Sequence, residues 1–131
     1  MSTSTPVVLT LGIPGTLSTS SEVKMAAPFS GKIAGAYVAV TTAPAGSALT
    51  ANLLVGADTA GAFSIAAAGN NDEATLTAAN VDFNKGDIIT LDITAVGSGT
   101  AGANIVATIL VEAEADATSV TIEPDNRFGQ A

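Results

Sequence analysis

The sequence contains no cysteine, no histidine and no tryptophan, and its aromatic residues are four phenylalanines and one tyrosine. Without cysteine, neither a disulfide bond nor a thiolate metal site is available. Without histidine, serine-type catalysis lacks its usual base. The few aromatic residues are spread along the chain, so they are better explained as core and loop anchors than as a carbohydrate platform. These absences predict a protein that is not an enzyme and that holds no cofactor.

Basic residues are also scarce. The chain has four of them, Lys24, Lys32, Lys85 and Arg127, against twelve acidic residues, and its net charge is −8. Clustered lysine and arginine bind a phosphate backbone, and these four are scattered, so nucleic acid is not an expected partner. Negative charge also repels anionic membranes. Because the sequence shows neither a signal peptide nor an apolar run of the ~20 residues that a membrane helix needs, we expect a soluble protein made in the cytoplasm.

Charged residues make up only 12% of the chain, which is about half of the usual share. The hydrophobic fraction is 47%, but much of it is alanine, so the core has to be built from valine, isoleucine and leucine. A length of 131 residues fits one domain. The surface is then mostly serine, threonine, asparagine, glycine and alanine, which suggests that much of it contacts other protein rather than bulk water.

Two long segments alternate in hydrophobicity with a period of two, which is typical of β-strands. In residues 87–94, Ile89, Leu91 and Ile93 share one face. Residues 105–111 are rich in β-branched side chains. The pattern predicts that these segments pair as antiparallel neighbours through a pliable connection at residues 97–102.

The remaining segments predict about eight strands, with turn signals every eight to twelve residues, as in a sandwich or barrel. The expected fold is all-β, an antiparallel β-sandwich of the jelly-roll type with flexible terminal arms. The residues expected to be largely buried are Leu9, Leu11, Ile33, Tyr37, Leu53, Phe63, Leu91, Ile93, Ile105 and Ile109. The strand at residues 32–42 is apolar on both faces, which indicates either a central strand covered twice or one whose outer face meets a partner.

The predicted domain organisation is a single β-sandwich over residues 1–115, with a polar arm at 1–5, and a C-terminal extension at 116–131. Within the extension, Val120, Thr121 and Ile122 form a short strand pattern. Two apolar side chains, each worth at most ~1.5–3 kcal/mol, do not offset the entropy of ordering such a segment alone. We therefore predict that these three residues interact with an exposed strand edge outside their own core. The alternative is a disordered tail.

Two motifs suggest chemistry. Residues 97–102 match G-x-G-x-x-G, but the β-branched residues that follow do not form the helix that a dinucleotide site needs, so a connection is predicted. Asn70, Asn71, Asp72 and Glu73 offer oxygen atoms to a cation, yet their spacing is not that of a calcium loop. A solvated loop is predicted here, and cation binding remains the alternative.

Two blocks resemble a known family. The first runs from Ala27-Pro28-Phe29-Ser30-Gly31 through Ala43-Pro44-Ala45-Gly46-Ser47, and the second from Asn84-Lys85-Gly86-Asp87 to Val96-Gly97-Ser98 and Ala101-Gly102. Over residues 20–112 the chain resembles the small jelly-roll structural proteins of tailed-bacteriophage virions, of the capsid decoration or cement type. These motifs consist of residues that form turns, so no functional residue of the family can be assigned to this chain from them.

The resemblance implies a non-enzymatic structural protein on the outer capsid surface of the virion, synthesised in the host cytoplasm. Its implied partners are the major capsid protein and copies of itself, commonly as a trimer. The alternative is a tail or fibre module that recognises a host-surface glycan, which would need a concave patch with exposed aromatic and polar groups. A small hydrolase is a third, remote alternative because histidine and cysteine are absent.

Overall fold

The protein is described here by a computed structural model, which covers residues 4–114. The strands are β1 (Ser4–Thr16), β2 (Glu22–Ala26), β3 (Gly31–Thr42), β4 (Leu49–Val55), β5 (Asp58–Ile65), β6 (Asn71–Glu73), β7 (Thr75–Leu76), β8 (Asp82–Phe83), β9 (Ile88–Val96) and β10 (Ala103–Glu114), with one 3₁₀ turn at Ala78–Asn80. The fold is all-β, as predicted. The count exceeds the expected eight because the chain between β5 and β9 is divided into three strands of two or three residues.

The strands form two antiparallel sheets. The first has the order β1-β10-β3-β6, with β8 also paired to β3, and the second has the order β2-β9-β4-β5-β7. Apart from the β4–β5 hairpin, every strand is followed along the chain by a strand of the opposite sheet. This alternation is the connectivity of a jelly-roll sandwich.

The core lies between the two sheets and is built from valine, isoleucine, leucine and alanine with two phenylalanines, Phe63 and Phe83. Alternation along each strand supplies it. On β10, for example, Ile105, Ala107 and Ile109 are buried while the residues between them are exposed. Nine of the ten residues expected to be buried are in this core; Tyr37 is the exception.

Tyr37 is 47% exposed, so the prediction that it is buried was wrong. Its strand, β3, contains a β-bulge: Val111 lies opposite Ile33 and Leu110 lies opposite Gly35, so Ala34 is an extra residue. One extra residue reverses which side chains face the core. The sequence pattern placed Ile33 and Tyr37 on one face, whereas the bulge leaves Ile33 inside and turns Tyr37 outward.

The predicted pairing of residues 87–94 with residues 105–111 is also wrong. β9 belongs to the second sheet and β10 to the first, and residues 97–102 cross between them. Both segments bury one face, as expected, but they bury it in the shared core from opposite sheets. The period of two identifies a buried face and does not identify the neighbouring strand.

The connection at residues 97–102 is held by backbone hydrogen bonds. Ala45 donates to the Thr100 carbonyl at 2.9 Å, and Gly99 donates to the Ala45 carbonyl at 2.7 Å. At the other end of the fold, β1 begins at Ser4, so Ser4 and Thr5 of the predicted arm pair with β10. The predicted extension at 116–131, with Val120, Thr121 and Ile122, lies outside the described residues.

Candidate interaction surface

The outer face of the first sheet carries an uncharged patch, which we call the apolar face. It consists of three registered rows across β1, β10 and β3: Val8, Leu110 and Gly35; Thr10, Thr108 and Tyr37; Gly12, Val106 and Ala39. Four of the five large exposed hydrophobic residues in the described chain lie here, and Val8 is the most exposed of them at 58%. Exposed apolar residues clustered in this way make the apolar face the candidate interaction surface of the described residues.

The apolar face exists because β10 and β3 carry apolar residues on both of their faces, the one toward the core and the one away from it. On β10 the core takes Ile105, Ala107 and Ile109, which leaves Val106 and Leu110 directed outward. Charged residues border this face: Glu112 lies opposite Lys32 one row beyond Leu110, and Glu73 of β6 lies beside Tyr37. The apolar face is therefore an uncharged area with a charged margin.

The outer face of the second sheet is different in character. Asp92 lies opposite Glu22 and Asn52, and Lys24 forms an exposed ion pair with Glu22 at 3.5 Å. The hydroxyl groups of Thr50 and Thr94 are hydrogen-bonded at 2.7 Å. The fifth large exposed hydrophobic residue, Ile88, lies on this sheet. The two outer faces thus divide into a polar side and an apolar side.

Two shallow depressions flank Val106 on the apolar side. One, of about 450 Å³, is lined by Tyr37, Val38, Ala39, Asn71, Asp72, Glu73, Val106 and Thr108. The other, of about 310 Å³, is lined by Gly12, Ile13, Pro14, Asn104, Ile105 and Val106. The Tyr37 ring lies over Gly35, since a Cβ atom on that glycine would be 3.6 Å from the Tyr37 hydroxyl. One ring face is therefore directed away from the sheet, beside the larger depression.

The candidate cation ligands of residues 70–73 do not form one cluster, although the Asn71 side-chain amide donates to the Asn70 side-chain oxygen at 2.7 Å. Asn71, Asp72 and Glu73 form β6 rather than a loop, so alternation sends neighbouring side chains to opposite sides. The Asp72 carboxylate accepts a hydrogen bond from the Ser64 amide at 2.8 Å. Within residues 4–114, no three acidic residues come together in a group that could hold a metal ion.

The two blocks that carry the family resemblance meet at one corner of the sandwich. Gly86 donates its amide hydrogen to the Ala27 carbonyl, and Ala27 donates to the Asp87 carbonyl, both at 2.8 Å. The Lys85 amide donates to the Ser30 hydroxyl at 3.0 Å. Residues 84–87 form a turn, as predicted, in which the Asp87 carboxylate accepts from the Asn84 amide. The motifs are therefore structural.

The G-x-G-x-x-G segment is followed by β10 and not by a helix. A pyrophosphate in a dinucleotide site lies at a helix N-terminus, so this segment has the role of a connection, as predicted.

The residues of the apolar face on β1 and β10 were not predicted from the sequence. Val106 and Leu110 each stand between buried neighbours, and Val8 stands between the half-buried Val7 and the buried Leu9. The signal available was the run of apolar residues on both faces of residues 105–111. The same signal was recognised only on the strand at residues 32–42, where an outer face in contact with a partner was one of two interpretations.

No helix within residues 4–114 has the length and apolar character to cross a membrane. In comparisons with known proteins, no protein-family model matches the sequence and no curated protein matches it significantly.

Proposed function

We propose that this protein is a non-enzymatic structural protein of a tailed-bacteriophage virion, a capsid decoration protein that binds the outer capsid surface as a homo-oligomer. The observation that carries the proposal is the contrast between the two outer faces. An apolar, uncharged face on one side suits attachment to protein, while the polar face on the other side suits exposure to solvent.

The size of the apolar face supports an oligomer. Three strands about 4.8 Å apart, over five residues with a rise of about 3.4 Å, cover roughly 250 Å². A stable protein–protein interface buries about 800 Å² on each partner. A single apolar face is thus the centre of a contact and binds weakly alone. Several copies bound to one another attach more tightly through avidity, and the family resemblance implies a trimer.

The first test introduces a carboxylate into the apolar face. Val106→Asp and Leu110→Asp are each expected to weaken binding to capsids roughly 100-fold, because burying an unpaired carboxylate in a protein contact costs several kcal/mol. Thermal unfolding should change little, since both side chains are exposed. The measurement is co-sedimentation with purified capsids that lack the protein.

The matched control is Thr94→Asp, which adds the same charge to an exposed position on the second sheet. It should bind capsids like the wild type. Loss of binding in this control, with normal binding by both variants of the apolar face, would contradict the proposed orientation. Counting copies in purified virions gives an independent check, because a decoration protein is present in numbers comparable to the capsid subunits and a tail-tip protein in few.

One observation favours the second candidate, a tail or fibre module that recognises a host glycan. The larger depression combines the exposed Tyr37 ring with the amide of Asn71 and the carboxylate of Glu73, which lie on the same side of the sheet as Tyr37. Sugar recognition uses an aromatic surface together with a few polar groups, as small-molecule sites generally do.

For a decoration protein, titration calorimetry with host-surface polysaccharide should detect no binding, and Tyr37→Ala should leave host attachment unchanged. Saturable binding that Tyr37→Ala abolishes, and that Val8→Ala retains, would support the glycan module instead. Val8 is the suitable control because it belongs to the apolar face but does not line the depression.

A further inference from the structure

β1 is a long edge strand with no charged residue. It has 13 residues and stands at the end of the first sheet, paired with β10 on one side. The other sheet ends are formed by β2, β6, β7 and β8, none longer than five residues. Proteins usually shorten, charge or cover an edge of this length, because its free backbone groups pair readily with another strand.

The hydrogen bonds of the first sheet determine which β1 residues face that edge. The Val40 amide donates to the Asn70 carbonyl, so Val40 directs its backbone groups away from β10. Ile105, which lies opposite Val40, therefore directs its backbone groups to the other side, toward Ile13 of β1. Along an antiparallel strand, successive residues direct their backbone groups to opposite sides. The residues that direct them to the free edge are Val8, Thr10 and Gly12.

A proline lies at each end of this free edge. Pro6 and Pro14 fall at the same parity as Val8, Thr10 and Gly12, where the amide hydrogen would face the free edge, and proline has none. Within residues 4–114, β1 has no strand partner besides β10. The free edge is therefore a defined acceptor of limited length, residues 7–13, with three amide donors at its centre.

We propose that this edge binds residues 118–124 of a second copy of the chain, as an antiparallel strand. The acceptor and the segment are each seven residues long, and Pro124 ends the segment as Pro6 and Pro14 end the acceptor. The inference deepens the proposed function by naming the contact that joins the copies.

The position of Glu114 decides in favour of a second copy. Glu114, the last described residue, pairs with Ser4, so the described chain ends beside the beginning of β1. From there, the chain's own segment would extend along β1 in the same direction and pair in parallel. Antiparallel pairing is somewhat more stable per residue, and all the described strand pairs are antiparallel. A segment from another copy meets no such restriction.

The side-chain pattern fixes the orientation of the added strand. Val120 and Ile122 alternate with Thr121 and Glu123, so placing Glu123 on the outer side of the sheet, at the margin of the apolar face, turns Val120 and Ile122 toward the core side of β1. At the two ends of the acceptor, Val7 and Ile13 are only half-buried on that side. The added strand would bury the exposed parts of the Val7 and Ile13 side chains and extend the first sheet beyond β1.

The experiment uses full-length chains with one amide donor removed. Thr10→Pro removes the central donor of the acceptor and leaves pairing with β10 intact, because the Thr10 amide points away from β10. Thr121→Pro removes a donor from the segment. Each is expected to weaken self-association roughly ten- to hundredfold, measured by analytical ultracentrifugation over a concentration series. Thr10→Ala and Thr121→Ala, which keep the amide, are expected to associate like the wild type.

Mixing the two proline variants tests the direction of the contact. The Thr121→Pro chain keeps an intact acceptor and the Thr10→Pro chain keeps an intact segment, so the mixture is expected to associate when neither variant does alone. In the wild-type oligomer, amide hydrogen exchange at Val8, Thr10 and Gly12 should be at least roughly tenfold slower than in the dissociated protein.

Three results would overturn the inference. The first is a monomeric wild type in which these amides exchange freely. The second is protection of the amides in a monomer at every concentration, which would mean that the chain's own segment binds the edge. The third is normal association of Thr121→Pro with loss in Thr10→Pro, which would mean that two β1 strands pair with each other. None of these measurements needs capsids, so attachment through the apolar face is tested separately.

Discussion

Replacing Leu91 by alanine is expected to lower the free energy of unfolding by about 2–5 kcal/mol, the range for deleting a buried leucine side chain. Leu91 has no exposed surface and lies on β9 between Val23 of β2 and Leu53 of β4. The backbone is paired on both sides, so we expect little collapse of the cavity and a cost in the upper part of the range. At about 3–5 °C for each kcal/mol in a domain of this size, the fall in Tm is large and easily measured.

Leu110→Ala is the matched control, because it removes the same atoms from the apolar face. Leu110 is 37% exposed, so its replacement should cost much less than that of Leu91. Both variants are compared at one protein concentration, because self-association raises apparent stability by mass action. Equal costs at the two positions would mean that Leu110 is already buried by a second copy in solution.

The sequence predicted buried faces well because alternation is a local property. Ile89, Leu91 and Ile93 alternate in the chain and are all buried in the sandwich. Strand neighbours were not predictable in the same way. Residues 97–102 could turn the chain back into the same sheet or carry it to the opposite sheet, and both arrangements bury the same side chains. The Ala45 bridge that secures the second arrangement comes from a distant part of the chain.

The candidate surface was only partly predictable for a related reason. Low charge indicated that part of the exterior contacts protein, but locating that part requires the sheet order, which brings β1, β10 and β3 side by side. The bulge at Ala34 adds a second obstacle, because it moves Tyr37 from the expected core to the outer face. A bulge results from pairing with Leu110 and Val111, and its local sign in β3 is Gly35, because a glycine inside a strand often marks a bulge.

Gly97→Ala is expected to destabilise the protein by about 3 kcal/mol or more, through two separate effects. Gly97 has φ = +105°, a conformation that costs an L-residue roughly 1–2 kcal/mol. An added Cβ atom would also be 2.5 Å from the Thr100 carbonyl oxygen and 3.0 Å from the Pro44 Cβ atom. Relieving the first contact displaces the oxygen that accepts the hydrogen bond from Ala45, so we expect the crossing between the sheets to loosen.

Gly86→Ala separates these two effects. Gly86 has φ = +92°, and an added Cβ atom there would meet nothing within 4 Å. Both replacements gain the same stability from the lower conformational entropy of the unfolded chain. The difference between their free energies of unfolding therefore measures the contacts at residues 97–102. Measured by chemical denaturation, the free energy of unfolding of Gly86→Ala should be about 1–2 kcal/mol below that of the wild type, and that of Gly97→Ala should be clearly lower. Equal losses of stability in the two variants would show that residues 97–102 move aside without cost. The connection would then be pliable, as its glycine content suggests.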